Sequence, residues 1–249
     1  MRPLILQSFR EFDVPTWVRR CQESVIRYAA SMEWDYAFLG DEFFDLAPPW
    51  AIKRLKGGSL CTLSDICRLE WMQKEFEERE VVLWADIDIL VIDPSAIQLD
   101  LEKPFGFSYE LYFDQEGAHH GLNNAFMFFH QNAKLFRVYM ERCYEILRNR
   151  GLGRTAMGPD LLRELNVPAD HVIQGVNILN FATLCQTYKD RQIPGIVRTL
   201  SHSAIGAANL CLNQRSSFSV NDRARYDALV DDVSKLLLKG FQQRCSDGR

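Results

Sequence analysis

Glu80-Val81-Val82-Leu83-Trp84-Ala85-Asp86-Ile87-Asp88-Ile89-Leu90-Val91-Ile92-Asp93-Pro94 is the stretch that decides how the rest of the chain is read. A mostly apolar run with the pattern of a buried strand ends on two carboxylates one residue apart, and a second apolar run closed by Asp-Pro follows. Along an extended chain the side chains at i and i+2 point the same way, which predicts that Asp86 and Asp88 face one point in space. No basic residue stands near either in sequence, and like charges so placed repel unless a cation sits between them. Mg²⁺ or Mn²⁺ suits such a pair, because these hard ions take one or two carboxylates and complete their shells with substrate phosphates.

Upstream, Leu4 to Phe9 reads as a short apolar strand. Trp17, Val18, Cys21, Val25, Ile26 and Ala29 then recur at helical spacing between Pro15 and Ala30, and Trp34 to Leu39 reads as a second strand stopped by Gly40-Asp41. This β-α-β order predicts an α/β fold with a mainly parallel central sheet flanked by helices. Residues 41 to 60, with Pro48-Pro49 and Gly57-Gly58, read as a short helix and a loop. Thr62-Leu63-Ser64-Asp65 reads as a helix start whose oxygens cap backbone N–H groups. Asp65 and Arg68, three apart, share one face of that helix; taken alone they form a cap and a surface ion pair worth a few tenths of a kcal/mol.

Downstream, Phe105 to Tyr109 and Asn123 to Phe129 read as strands, the second led by two amides. A helix from Ala133 to Arg150, a break at Met157-Gly158-Pro159-Asp160, a short helix through Leu165 and a closing helix over Arg223 to Phe241 complete the pattern. No linker or repeat divides the chain, so the reading is one domain over residues 1–249, with 215–249 a C-terminal helical extension. Trp17 and Trp84 are expected in the core, and Glu77 to Glu80 at a solvated helix end. His119-His120 is expected in a loop, since adjacent residues of an extended chain point apart and no third ligand is spaced to join them.

A chain of 249 residues has room for a sizeable core, and 47% hydrophobic with 25% charged residues is ordinary for a globular protein. A net charge of −4 provides no electrostatic attraction for nucleic acid. The seven cysteines, at 21, 61, 67, 143, 185, 211 and 245, form no CxxC pair and leave one over. They read as reduced thiols of a cytoplasmic protein. No apolar stretch is long enough to span a membrane; peripheral attachment stays open.

Ser64-Asp65-Ile66-Cys67-Arg68, a helix, and then Trp84-Ala85-Asp86-Ile87-Asp88 resemble the DXD-containing sugar transferases of glycosyltransferase family 32. That family includes initiation-type mannosyltransferases and capsular polysaccharide transferases; the glucosyltransferase domains of large bacterial toxins are more distant relatives. Asn123-Asn124-Ala125-Phe126 resembles the family's Asn-rich strand, and Met157-Gly158-Pro159 its Thr-Gly-Pro turn. The resemblance covers residues 3 to 205 and is strongest from 62 to 94. Two departures mark a divergent subgroup. Glu78 to Trp84 replaces a Tyr-Gly-Gly-Ile-Tyr stretch, and Ser201-His202-Ser203 replaces a His-His-Trp element.

The resemblance implies the GT-A fold, Mn²⁺ or Mg²⁺, a UDP- or GDP-sugar donor, and a glycan, lipid-linked or protein acceptor, with retention of anomeric configuration. It implies that Asp88 binds the cation and that Asp86 reaches it through water or holds donor hydroxyls. Asp65 and Arg68 would contact the donor sugar and a phosphate, and Gln7 and Ser8 the nucleoside. Asn123, Asn124 and Asp160 are candidates for sugar or acceptor hydroxyls, and His202 for the metal or diphosphate. Two rival readings remain. One is an inactive nucleotide-sugar-binding relative that acts as a partner subunit. The other is a phosphatase of the haloacid dehalogenase type with Asp86 as nucleophile.

Overall fold

The structure is a computed structural model that describes residues 1–54, 60–114, 117–149, 155–192, 205–215 and 217–246. It opens with β1 (Leu4–Ser8), α1 (Thr16–Ser31), β2 (Asp35–Leu39), a 3₁₀ turn, α2 (Pro49–Arg54), α3 (Leu60–Glu75) and β3 (Val81–Ala85). Next come β4 (Ile89–Val91), β5 (Phe105–Asp114), β6 (Gly117–His130), α4 (Lys134–Asn149) and α5 (Pro159–Glu164). Then follow β7 (Val172–Ile173), β8 (Val176–Ile178), α6 (Phe181–Asp190), β9 (Ala207–Asn209), α7 (Leu212–Arg215) and α8 (Val220–Ser246).

Six strands form the main sheet in the order β2-β1-β3-β6-β5-β7. β1 runs parallel to β2 and β3, β6 runs antiparallel to β3 and β5, and β7 runs parallel to β5. Five strands thus share one direction and β6 alone opposes them, as the β-α-β reading predicted. Both faces of the central strands are apolar. Leu4, Leu6, Val82 and Trp84 pack toward α3 and α4 with Met72, Phe136 and Tyr139, while Ile5, Leu83 and Ala85 pack toward Val25, Tyr28 and Ala29 of α1. A strand covered on both sides needs a continuous apolar run, and Val81 to Ala85 supplies it.

The chain departs from the extended path predicted through Asp86 to Asp88. After Ala85 it makes a tight turn, with the Ile89 N–H returning to the Asp86 carbonyl at 3.0 Å. It then enters β4 of a second sheet, ordered β4-β9-β8. The helix expected to begin at Thr62 begins at Leu60, so Asp65 lies inside it and caps nothing. β5 and β6 are longer than the sequence indicated, and His119-His120 belongs to β6 rather than to a loop.

α8 packs Tyr226, Val230, Val233 and Leu237 against Trp17, Val18 and Cys21 of α1 and Leu184 of α6. Arg20 reinforces the contact at 2.8 Å from Asp231 and 2.6 Å from the Ser234 hydroxyl. Cys21, Cys67, Cys143 and Cys185 are free thiols. Among the described residues, no helix is long and apolar enough to cross a membrane.

Candidate functional site

Asp86 follows the last residue of β3, where the parallel strands β1 and β2 also end. Ligands of α/β sheets bind outside these carboxyl ends. Asp86 Oδ1 accepts the Trp84 indole N–H at 2.7 Å and lies 3.3 Å from Arg68 Nη2. Its backbone N–H donates to Ala125 of β6 at 2.7 Å, and its carbonyl accepts the Gln7 amide at 3.1 Å. The Asp86 side chain is 29% exposed against 9% for Asp65, so it is the more open of the two carboxylates that Arg68 pairs with.

Arg68 is buried at the centre of this arrangement. Its Nη2 sits 3.3 Å from both Asp65 and Asp86, Nη1 donates to the Asn124 carbonyl at 3.0 Å, and the guanidinium lies 4.9 Å from the Trp84 ring centroid. Its Nε is buried without a hydrogen-bond partner. Its Nη groups face the protein, Nη2 toward the two carboxylates and Nη1 toward the Asn124 carbonyl. A planar fork that bridges two carboxylates and stacks on an indole holds a fixed geometry that a lysine could not reproduce.

Asp65 accepts the Asn124 amide at 3.0 Å, and the same Nδ2 donates to the Tyr139 hydroxyl at 3.1 Å. The Tyr139 hydroxyl donates in turn to the Met157 carbonyl at 2.6 Å. Burial pushes the Asp65 carboxyl up to about 6, against the lowering effect of Arg68. At Gly158 a Cβ would stand 2.7 Å from Asn124 Oδ1. The absence of a side chain lets the Gly158-Pro159 turn close on the amide. Four separated segments meet here: the motif helix α3, the end of β3, the paired amides of β6 and the Gly-Pro turn.

Asp88 has a different environment. It is 6% exposed, its Oδ2 accepts the Leu212 N–H at 2.6 Å, and its carbonyl accepts the Leu210 N–H at 3.0 Å. Burial, and then the neighbouring Asp86 charge, push its carboxyl up to about 7. The two aspartates hang from one turn and take different partners, which corrects the picture of two extended side chains aimed at one point. The assumption that neither has a basic neighbour is also corrected for Asp86. Arg68 was invisible beside it because seventeen residues of chain separate them.

The other predicted residues divide. Gln7 is fully buried, with its amide between the Asp86 carbonyl and the Tyr36 hydroxyl, the latter at 3.1 Å, so it supports the Asp86 turn. Ser8 closes β1 opposite Leu39 and is half-buried. Asn123 Oδ1 accepts the Ala125 N–H at 2.7 Å, beside the irregularity in the β5–β6 pairing. Asp160 stands apart in the first turn of α5, where it accepts the Thr155 hydroxyl at 2.6 Å and lies 3.5 Å from Arg163. His202 lies outside the described residues.

Trp84, Tyr139 and the Leu212 N–H were not foreseen as parts of the site. Trp84 sat in the quoted motif and was read as core; its indole nitrogen was the signal. Tyr139 and Leu212 carried none.

The donor set fits a hard divalent ion in part. Asp86 Oδ2 and Asp88 Oδ1 take no hydrogen bond from another described residue, and carboxylate oxygens are the ligands that Mg²⁺ and Mn²⁺ prefer. No cluster of three His, Cys, Asp or Glu side chains able to hold a metal occurs among the described residues. A cavity of about 370 Å³ lies elsewhere, between Phe181 of α6 and Phe218, Tyr226 and Leu229 at α8.

No protein-family model and no curated protein matches the chain. Among solved structures, a glycosyltransferase involved in the glycosylation of the major capsid of PBCV-1 aligns over 92% of this chain and 98% of its own, with TM-score 0.50 and 15% identity. The fold is a GT-A-like glycosyltransferase fold. Mouse xyloside xylosyltransferase 1 in its apo form aligns over 85% of this chain and 98% of its own at TM-score 0.42 and 11% identity, too distant to add to that conclusion.

Proposed function

We propose that the chain is a glycosyltransferase that moves a hexose from a UDP- or GDP-linked sugar to a glycan, lipid-linked or protein acceptor. The observation that carries this reading is the convergence of Asp65, Arg68, Asn124 and Gln7 on Asp86 at the carboxyl end of β3. It occurs in a fold shared with a glycosyltransferase.

A nucleoside diphosphate gains negative charge as it leaves, and a divalent cation supplies electrostatic stabilisation to that charge. Asp86 and Asp88 would hold this cation. The chain's own residues fix one oxygen of each carboxylate. Trp84 and Arg68 fix Asp86, and the Leu212 N–H fixes Asp88. Ser8 at the end of β1 and Asn123 beside the irregularity in the β5–β6 pairing would contact donor hydroxyls. Retention of configuration belongs to the proposal, and product anomer analysis by NMR decides it.

Purified protein with Mn²⁺ is expected to hydrolyse or transfer from one member of a panel of UDP- and GDP-sugars. Asp88→Ala is expected to lower turnover by about 100-fold or more, the scale on which preorganised electrostatic groups contribute. Turnover unchanged by Asp88→Ala or by chelation removes the metal-dependent mechanism. The ion pair that occupies one oxygen of Asp86 favours one rival, a non-catalytic nucleotide-sugar binder. Calorimetry that finds metal-dependent UDP binding, with no turnover on broad acceptor libraries, selects it.

A further inference from the structure

The geometry points to Tyr226 of α8, backed by the Asp227–Arg215 pair, as a positioning residue that sets the orientation of Asp88 through the backbone turn at Cys211.

The turn itself calls for such a brace. Cys211 has φ +55°, in the left-handed region that a side-chain-bearing residue enters only at a steric cost. This conformation lets the N–H groups on either side of Cys211 both reach Asp88. Leu210 donates to its carbonyl and Leu212 to its carboxylate. A strained turn persists only where its surroundings over-determine it.

Three contacts do so here. Asn209 Oδ1 accepts the Cys211 N–H at 2.8 Å. The Tyr226 hydroxyl lies 3.0 Å from the Leu210 carbonyl and 2.8 Å from the Cys211 carbonyl, and its single proton is shared between them. One residue further along α8, Asp227 takes Arg215 Nε and Nη2 at 2.7 to 2.9 Å and the Trp17 indole N–H at 3.0 Å. The far end of α7 is thereby tied to both α1 and α8.

Tyr226 is 2% exposed and stacks on Phe181 with ring centroids 5.8 Å apart, so its hydroxyl cannot swing away from the turn without repacking the aromatic cluster. The last long helix of the chain thus reaches the first motif of the chain through two hydrogen bonds. The consequence for catalysis rests on the transferase reading above; the consequence for the geometry at Asp88 does not.

The test uses the full chain and two variants, Tyr226→Phe and Asp227→Asn, each of which keeps the shape of the side chain. Amide exchange at Leu212 is expected to quicken about tenfold in Tyr226→Phe and about threefold in Asp227→Asn, with the β3 amides of Val82 to Ala85 unchanged. An unchanged Leu212 amide overturns the proposal. So does an equal acceleration at β3, because that is the mark of lost packing rather than lost positioning. Where the wild type turns over a donor, Tyr226→Phe is expected to lower kcat about three- to tenfold while the donor KM holds. A loosened Leu212 amide with wild-type kcat overturns the catalytic consequence. A wild type that turns over no donor sinks the transferase reading alone, and the exchange rates still decide the role of Tyr226.

Discussion

Asp86 and Asp88 leave the same turn and meet opposite surroundings. Asp86 is partly open, and a buried guanidinium 3.3 Å away compensates its charge. Asp88 is closed over and bonded to a backbone N–H, with no ion pair among the described residues, and its carboxyl is pushed up to about 7. Burial alone does not set the charge state of a carboxylate. What matters is whether a cation is buried with it, since desolvation disfavours the ion and a nearby opposite charge restores it. The acidic pair is therefore uneven: one member carries its counter-ion within the fold, and the other is the member that gains most from an ion supplied from outside.

Removal of the internal counter-ion tests the first half of this comparison. Arg68→Met leaves Asp65 and Asp86 beside an apolar stem, and breaking a buried ion pair from one side costs about 3–5 kcal/mol. Urea unfolding at pH 8 is expected to show a loss of that size. The loss is expected to shrink toward pH 5, because Asp65 sits near 6 and can take up a proton there. A loss independent of pH breaks the electrostatic account.

Asp88 tests the second half, with the opposite sign. Its folded value of about 7 lies above its ordinary 3.8, so its contribution to stability is complete below about 4 and is lost as the pH rises through 7. Asp88→Asn keeps an oxygen for the Leu212 N–H and removes the charge. Its urea midpoint is expected to exceed that of the wild type at pH 8 by the equivalent of about 3–4 kcal/mol, and to match it at pH 4. Equal midpoints at both pH values would show that Asp88 is compensated after all. The smallest expected effect lies behind Arg68. Tyr139→Phe removes the hydroxyl between the Asn124 amide and the Met157 carbonyl, and differential scanning calorimetry is expected to register about 1–2 kcal/mol.

The legible part of the site is the part built from local pattern. Asp65 and Arg68 are one helical turn apart, Asp86 and Asp88 close an apolar run, and Asn123-Asn124 opens another; such spacings are visible in one dimension. What the spacing did not show is their packing. Gln7, Asp65 and Arg68 are buried and converge on Asp86, and burial cannot be read from spacing. The small β4-β9-β8 sheet escaped notice because its strands are three residues each and come from distant parts of the chain. A segment that short carries too few residues for its period to show. Tyr226 and Arg215 had no signal either, since a helix that reads as an ordinary amphipathic closing element does not announce which backbone carbonyl one of its tyrosines will reach.

By itself the amino-acid order determined the β-α-β scaffold, the mainly parallel sheet and the place of the acidic pair after the central strand, because apolar period and capping chemistry act between near neighbours. Only the tertiary structure decided which carboxylate is buried, which arginine pairs with the other and which backbone N–H groups meet Asp88. Those outcomes depend on burial and on contacts between residues as far apart as Asp88 and Leu212, where desolvation and a single hydrogen bond outweigh anything that local sequence encodes.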